Sequence, residues 1–204
     1  MRINKKKFIY LISPNKTYRY FYEDLKNILE NKNISFFQMR FKNYSFKKNV
    51  ILGKKIKEIC KKSKIKFLVN DNPLLAKKIN ADGCHLGQKD MNILDARKLL
   101  GKKIIGVTCH NSLKLAKIAI KDGADYVAFG AFFSTKTKKI KYKANIRILK
   151  NFKISKNIPI VAIGGINNLN YKKLLLNKAN FLAISSYIWK NKKLNPQDAI
   201  KKLK

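Results

Sequence analysis

Short apolar runs punctuate this chain at a steady rhythm, and that rhythm narrows the possible folds more than any other feature. Phe8–Ile12, Ser35–Met39, Lys66–Val69, Gly83–Leu86, Ile104–Val107, Tyr126–Phe129, Pro159–Ile163 and Phe181–Ile184 are each rich in β-branched or aromatic residues and bounded by Gly, Asn, Asp or Ser. Such runs predict buried strands. The intervening segments carry apolar faces against lysines, as at Leu113, Ala116 and Ile120 or at Leu174 and Leu175, and predict helices. The junctions repeat as well. Asn80-Ala81-Asp82-Gly83, Asp122-Gly123-Ala124-Asp125 and Asn177-Lys178-Ala179-Asn180 each lead directly into a strand. A helix stop followed by a continuously apolar strand is the repeating requirement of a β/α unit. Eight units of roughly 25 residues fit a compact α/β fold, the (β/α)8 or TIM barrel. A doubly wound open sheet is the alternative. With 204 residues, 46% of them hydrophobic, the chain can bury one core, so residues 1–204 are expected to form a single domain.

Charge and cysteine content limit the functional classes. Forty-seven basic residues face 11 acids, for a net charge of +36. A basic surface of that size invites comparison with nucleic-acid-binding proteins, but the lysines are dispersed along the whole chain rather than gathered in a stripe. Asn and Ile are also frequent, which fits a compositional bias. Cys60, Cys84 and Cys109 are odd in number and lack C-x-x-C spacing, so buried reduced thiols are expected rather than disulfides or a zinc site. The basic start at Arg2 to Lys7 and the apolar run Phe8–Ile12 mimic a signal peptide, but the run is too short and ends in Ser13-Pro14. No segment approaches the ~20 apolar residues of a membrane span. A cytoplasmic protein is expected.

In a barrel of this kind chemistry gathers where strands end, and the polar residues of this chain lie there. Alternation places Gln38, Arg40 and Lys42, at the end of the second strand, on one face. Two cations there suit a polyanion such as pyrophosphate; an internal salt-bridge network is the alternative. The third strand ends in Asn70-Asp71 and the fourth in Gly87-Gln88-Lys89-Asp90. Asp71 and Asp90 together suit Mg2+, although either alone suits a helix N-cap. Thr108, after the fifth strand, can offer a hydroxyl to substrate. His110 can serve as acid or base or as a packing residue, and His85 reads as a satisfied core histidine. The stretch from Gly130 to Lys143, with Thr135, Thr137 and Lys138, suits an anion-binding lid or a solvated charge run. Gly164-Gly165 after the seventh strand and Ser185-Ser186 after the eighth suit a phosphate site.

Taken together these motifs resemble the thiamine-phosphate synthase family, from about Phe8 to Tyr187. The family pattern Q-x-R-x-K appears as Gln38 to Lys42, N-D as Asn70-Asp71, and H-L-G-Q-x-D as His85 to Asp90. G-V-S/T-x-H is Gly106 to His110, T-x-T-K is Thr135 to Lys138, A-I-G-G-I is Ala162 to Ile166, and the closing I-S is Ile184-Ser185. Single motifs are weak, but seven in order, each at a predicted strand end, are specific. The resemblance implies a transferase that joins hydroxymethylpyrimidine pyrophosphate to thiazole phosphate, giving thiamine phosphate and pyrophosphate. It implies that Arg40, Lys42 and Lys138 hold the leaving pyrophosphate, with Mg2+ on Asp71 and Asp90. Gln38, Asn70 and Thr108 would position the pyrimidine and pyrophosphate. Thr135 and Thr137 would contact the thiazole phosphate or its lid, and Gly165, Ile184 and Ser185 would cradle that phosphate. Phe41 stands where the family carries an acid, Ala131 and Ser134 stand where it carries prolines, and Thr108 stands for its serine; a lid without prolines is expected to be looser. A thiazole tautomerase paralogue, and a non-catalytic basic barrel that binds phosphate or nucleic acid, are the competing readings.

Overall fold

The computed structural model describes residues 7–134, 142–152 and 158–204. All eight expected strands form: β1 (Ile9–Ile12), β2 (Ile34–Met39), β3 (Lys66–Asn70), β4 (Gly83–Leu86), β5 (Ile104–His110), β6 (Tyr126–Gly130), β7 (Ile160–Ile163) and β8 (Phe181–Ile184). They pair in chain order, all parallel, and β8 pairs with β1 to close a barrel, which excludes the open sheet. The helices are α1 (Phe21–Leu29), α2 (Phe46–Lys62), α3 (Pro73–Lys78), α4 (Ile93–Leu100), α5 (Leu113–Lys121), α6 (Arg147–Asn151), α7 (Tyr171–Leu176), α8 (Ser186–Trp189) and α9 (Pro196–Lys201). No described helix is long and apolar enough to cross a membrane. β5 runs past the expected Val107 to His110, with a register shift between Thr108 and His110 where apolar residues alone gave no sign of further pairing.

Strand alternation divides the apolar residues between two cores. Outward residues such as Phe37, Phe67, Val69, Ile105 and Leu182 pack under the helices. The three cysteines lie there too, free and buried as expected, and burial raises their thiol pKa values, which makes them inert. Inward residues fill the barrel. Tyr10, Phe36 and Phe181 pack ring against ring, with centroids 5.3 Å and 5.0 Å apart. Tyr126 crosses the interior, and its ring lies where any Cβ on Gly106 would have to go.

The repeated junctions turn out to be clamps at the end of the barrel remote from the mouth. Asn80 and Lys178 take left-handed backbone (φ 51° and 75°), as does Gly123 (φ 101°), so each ends its helix. The next residue then bonds back across the turn: Ala81 N–H to Ala76 O, Ala124 N–H to Ala119 O and Ala179 N–H to Leu174 O. The residue after that grips the preceding strand twice. Asp82, Asp125 and Asn180 accept from the backbone N–H of Phe67, Ile105 and Ile160, and donate their own N–H to the carbonyls of the same residues. One short sequence thus stops a helix and sets the register of the next strand.

Candidate active site

At the opposite end of the barrel the strand termini bring the expected polar residues together. Gln38 points inward from β2 and is 2% exposed, yet its Nε2 has no hydrogen-bond partner among the described residues. A buried donor without an acceptor costs about 1–3 kcal/mol, and such a group is tolerated where a ligand completes it. Arg40 follows, half-buried. Its backbone N–H donates to Ser13 Oγ at 2.8 Å and its guanidinium donates to Asn15 Oδ1 at 3.2 Å. Burial lowers its pKa and Asp71 opposes that shift. Lys42 is exposed, and its N–H donates to Asn15 O. A cleft of about 250 Å3 is lined by Arg40, Lys42, Asn70 and Asp71. No salt bridge to Arg40 or Lys42 forms among the described residues, so the internal ion-pair network is not what places these cations.

The two acids are not caps. Asn72 caps α3 and Asn92 caps α4, each accepting an N–H from its helix. Asp71 takes left-handed backbone (φ 62°), its N–H held by His85 O at 2.8 Å. Asp90 Oδ2 accepts from Gly87 N–H at 2.7 Å. Their carboxyls meet: burial first, and Asp90 next, push the Asp71 pKa up to about 6, while Arg40 and Lys42 pull it down. Among the described residues no group of three or more His, Cys, Asp or Glu could form a complete metal cage. Two carboxylates forced together nonetheless fit Mg2+, which needs few protein oxygens and draws the rest from water and substrate.

Thr108 is half-buried on the next strand, its Oγ1 2.8 Å from His85 Nε2 and its carbonyl accepting from Gln88 Nε2 at 2.6 Å. His85 is a satisfied interior histidine as expected, and burial depresses its pKa to about 4. His110 has left-handed backbone (φ 52°) and stacks on Tyr142 with centroids 4.1 Å apart, in a cleft of about 290 Å3 that Gln88 and Asn111 also line.

The phosphate-site residues fall less simply. Gly164 and Gly165 both take positive φ (104° and 62°). What crowds a Cβ at these positions is the chain after β6: Ala131 for Gly164, and Phe133 and Ser134 for Gly165. The glycine pair is therefore required first by loop packing. The Ile184 side chain faces outward into the helix-covered core, leaving only its backbone for the mouth. Ser185 Oγ donates to Ser13 O at 3.1 Å, and Trp189 Nε1 donates to Ile12 O at 2.7 Å, so α8 ties β8 to the end of β1. Thr135, Thr137 and Lys138 lie outside the described residues.

Two departures from the family pattern have local explanations. Phe41 packs its ring on Phe21 and Tyr44, at 5.7 and 5.8 Å, where an acid would lack a partner of that kind. Ala131 keeps an N–H that proline lacks; it donates to Tyr142 O at 3.0 Å, and Ala144 N–H returns to Ala131 O at 2.8 Å. Sequence reasoning missed Ser13 and Asn15, the supports of Arg40, because an ordinary Ser-Pro-Asn turn carries no sign of what it will face.

Comparison with known proteins agrees with the barrel fold. The sequence profile described as thiamine monophosphate synthase matches residues 9–188. A thiamine-phosphate synthase of Pelagibacter ubique (strain HTCC1062) is 65% identical, with 100% of both chains covered. One of Erythrobacter litoralis (strain HTCC2594) is 41% identical over 89% of this chain and 87% of its own. A solved thiamine phosphate pyrophosphorylase from Pyrococcus furiosus superposes with a TM-score of 0.84 at 30% identity, covering 98% of this chain and 94% of that one. With the profile spanning most of the barrel and relatives of this similarity along its length, the chain is an enzyme of the transferase class and belongs to the thiamine monophosphate synthase family.

Proposed function

We propose that the enzyme couples hydroxymethylpyrimidine pyrophosphate to thiazole phosphate, releasing pyrophosphate and forming thiamine phosphate, in the cytoplasm and with Mg2+. The observation that carries this reading is the cleft at the ends of β2 and β3, where Arg40, Lys42 and Asn70 meet Asp71, itself pressed against Asp90. A site with cations on one wall and paired carboxylates on another suits a pyrophosphate carried with a divalent ion. Asp71 and Asp90 would hold the ion, whose charge relieves their repulsion and helps neutralise the leaving group.

The chain's own residues do the rest. Arg40, fixed by Ser13 and Asn15, presents its remaining guanidinium donors to the pyrophosphate, and Lys42 adds a mobile charge at the rim. As the C–O bond of the pyrimidine breaks, negative charge grows on the departing oxygens, so fixed donors bind the transition state more tightly than the substrate. Gln38 Nε2 supplies a donor already desolvated, and Asn70 and Thr108 complete the positioning. The resemblance adds Lys138 for the pyrophosphate and Thr135 and Thr137 for the thiazole phosphate or its lid, and Gly165, Ile184 and Ser185 would offer backbone to that phosphate.

Pyrophosphate release, measured with both substrates present, tests the reading. Release should require both substrates, vanish in EDTA and return with added Mg2+. Asp71→Ala should abolish most of it while leaving the circular dichroism spectrum unchanged. Full turnover in EDTA would remove the metal from the mechanism, and thiazole isomerisation without coupling would favour the tautomerase.

A further inference from the structure

A line of hydrogen bonds runs through the barrel to the mouth. Tyr10 Oη lies 2.8 Å from Tyr126 Oη, Tyr126 Oη lies 2.8 Å from His85 Nδ1, and His85 Nε2 lies 2.8 Å from Thr108 Oγ1. The first three side chains are buried, and Thr108 alone reaches the mouth. Each link can run in either direction, because hydroxyls donate and accept and a neutral imidazole does one at each nitrogen. Such a line is polarised as a unit.

The buried end decides the direction. Tyr10 Oη has one partner among the described residues, Tyr126. If the line pointed inward, Thr108 would donate to His85, and the proton of Tyr10 or of Tyr126 would be left without an acceptor among the described residues. Pointing outward, Tyr10 donates to Tyr126, Tyr126 donates to Nδ1, and Nε2–H donates to Thr108; every proton in the line is used. Stacking of the Tyr126 and His85 rings, 5.6 Å apart and 19° from parallel, keeps the nitrogen facing the hydroxyl. An imidazolium would strand the proton of Tyr10 or of Tyr126 and would place a charge in the barrel interior.

We infer that Tyr10, Tyr126 and His85 are positioning residues that hold His85 as the Nε2–H tautomer and leave the Thr108 hydroxyl free to donate into the mouth. Thr108 then has a proton to give to an acceptor atom of the substrate, such as a pyrophosphate oxygen or an unprotonated ring nitrogen. Only the consequence for turnover rests on the proposed coupling reaction; the tautomer does not.

The chain has two histidines, so long-range 1H–15N correlation spectra of histidine-labelled protein resolve both rings, with His110→Asn as the assignment control. The His85 proton should sit on Nε2 with Nδ1 bare; a proton on Nδ1, or on both nitrogens at neutral pH, overturns the inference. Thr108→Val should lower kcat about a hundredfold, the usual loss for one preorganised donor, and Thr108→Ser should recover most of it. Tyr126→Phe should lower kcat roughly tenfold, as loss of an outer partner does, and should have no further effect in the Thr108→Val background. An equal loss in both backgrounds would mean that Tyr126 acts on the barrel and not through Thr108. Failure of the wild-type enzyme to couple the two substrates would strike the proposed reaction while leaving the tautomer result to stand alone, and a Tyr126→Phe protein that does not fold leaves the wild-type spectrum decisive.

Discussion

Arg40 is anchored before any ligand arrives. Its backbone is tied to Ser13 and one arm of its guanidinium to Asn15, so the remaining donors are held in a fixed direction at the cleft. That preorganisation makes the fork matter more than the charge. Arg40→Ala is expected to reduce kcat by about a hundredfold, equivalent to about 3 kcal/mol of lost transition-state stabilisation. Arg40→Lys should restore only part of this, since lysine keeps the charge without the paired donors. Steady-state kinetics of coupling and of thiazole isomerisation on the same variants separate the roles. An unchanged coupling rate in Arg40→Ala would withdraw the residue from the pyrophosphate site. Arg40 itself was legible from strand alternation and from its place after an apolar run. Asn15 was not, since the contact joins residues that are distant in sequence and meet only when β1 and β2 pair.

Elements are joined by the clamps at Asp82, Asp125 and Asn180. Asp125 does most: it accepts from Ile105 N–H at 2.7 Å and from Arg97 Nη2 at 2.7 Å, fastening α4, β5 and β6 at one point. Asp125→Ala is expected to cost about 2 kcal/mol, the scale of hydrogen bonds to a charged group. Asp125→Asn should cost less, because Asn180 already performs the same backbone clamp without charge. Urea titration checks this, with a lower midpoint at an unchanged slope. The repeat was legible in the sequence as helix stop and strand start. Its hydrogen bonds to the preceding strand were not, for periodicity describes one segment at a time. The same limit hid the last residues of β5, whose pairing with β6 passes through an irregularity.

Across the whole molecule the charge is lopsided. Ion pairs among the described residues, such as Lys66–Asp82 and Arg97–Asp125, involve only a small part of the 47 basic groups. A net charge of +36 repels itself in the folded state, and salt screens that repulsion over a Debye length of roughly 8–10 Å at physiological ionic strength. The melting temperature should therefore rise between low and physiological salt; a flat or falling response would show that the lysines are spaced widely enough not to interact. Binding to duplex DNA should be weak at physiological salt, without sequence preference, and should fall steeply as salt increases. Tight sequence-selective binding would instead support the nucleic-acid reading.

The chain by itself determined the barrel, because burial forces a parallel strand to be apolar throughout and a covering helix to be apolar on one side; both patterns are local and can be read without knowing what packs where. It also determined which polar residues stand at strand ends, and so the family pattern. Tertiary structure alone decided what those residues touch. Asp71 or Asp90 alone suited a helix cap, but folding placed Asn72 and Asn92 at the caps and brought the two carboxyls together. Gly165 signalled only a close backbone approach, and folding showed that the chain after β6 is one of the segments making it. His85 was one interior histidine until closure of the barrel set Tyr10, Tyr126 and Thr108 in line with it. Each of these outcomes depends on which groups are neighbours across the barrel, and hydrogen-bond direction, carboxylate repulsion and steric exclusion act between neighbours in space.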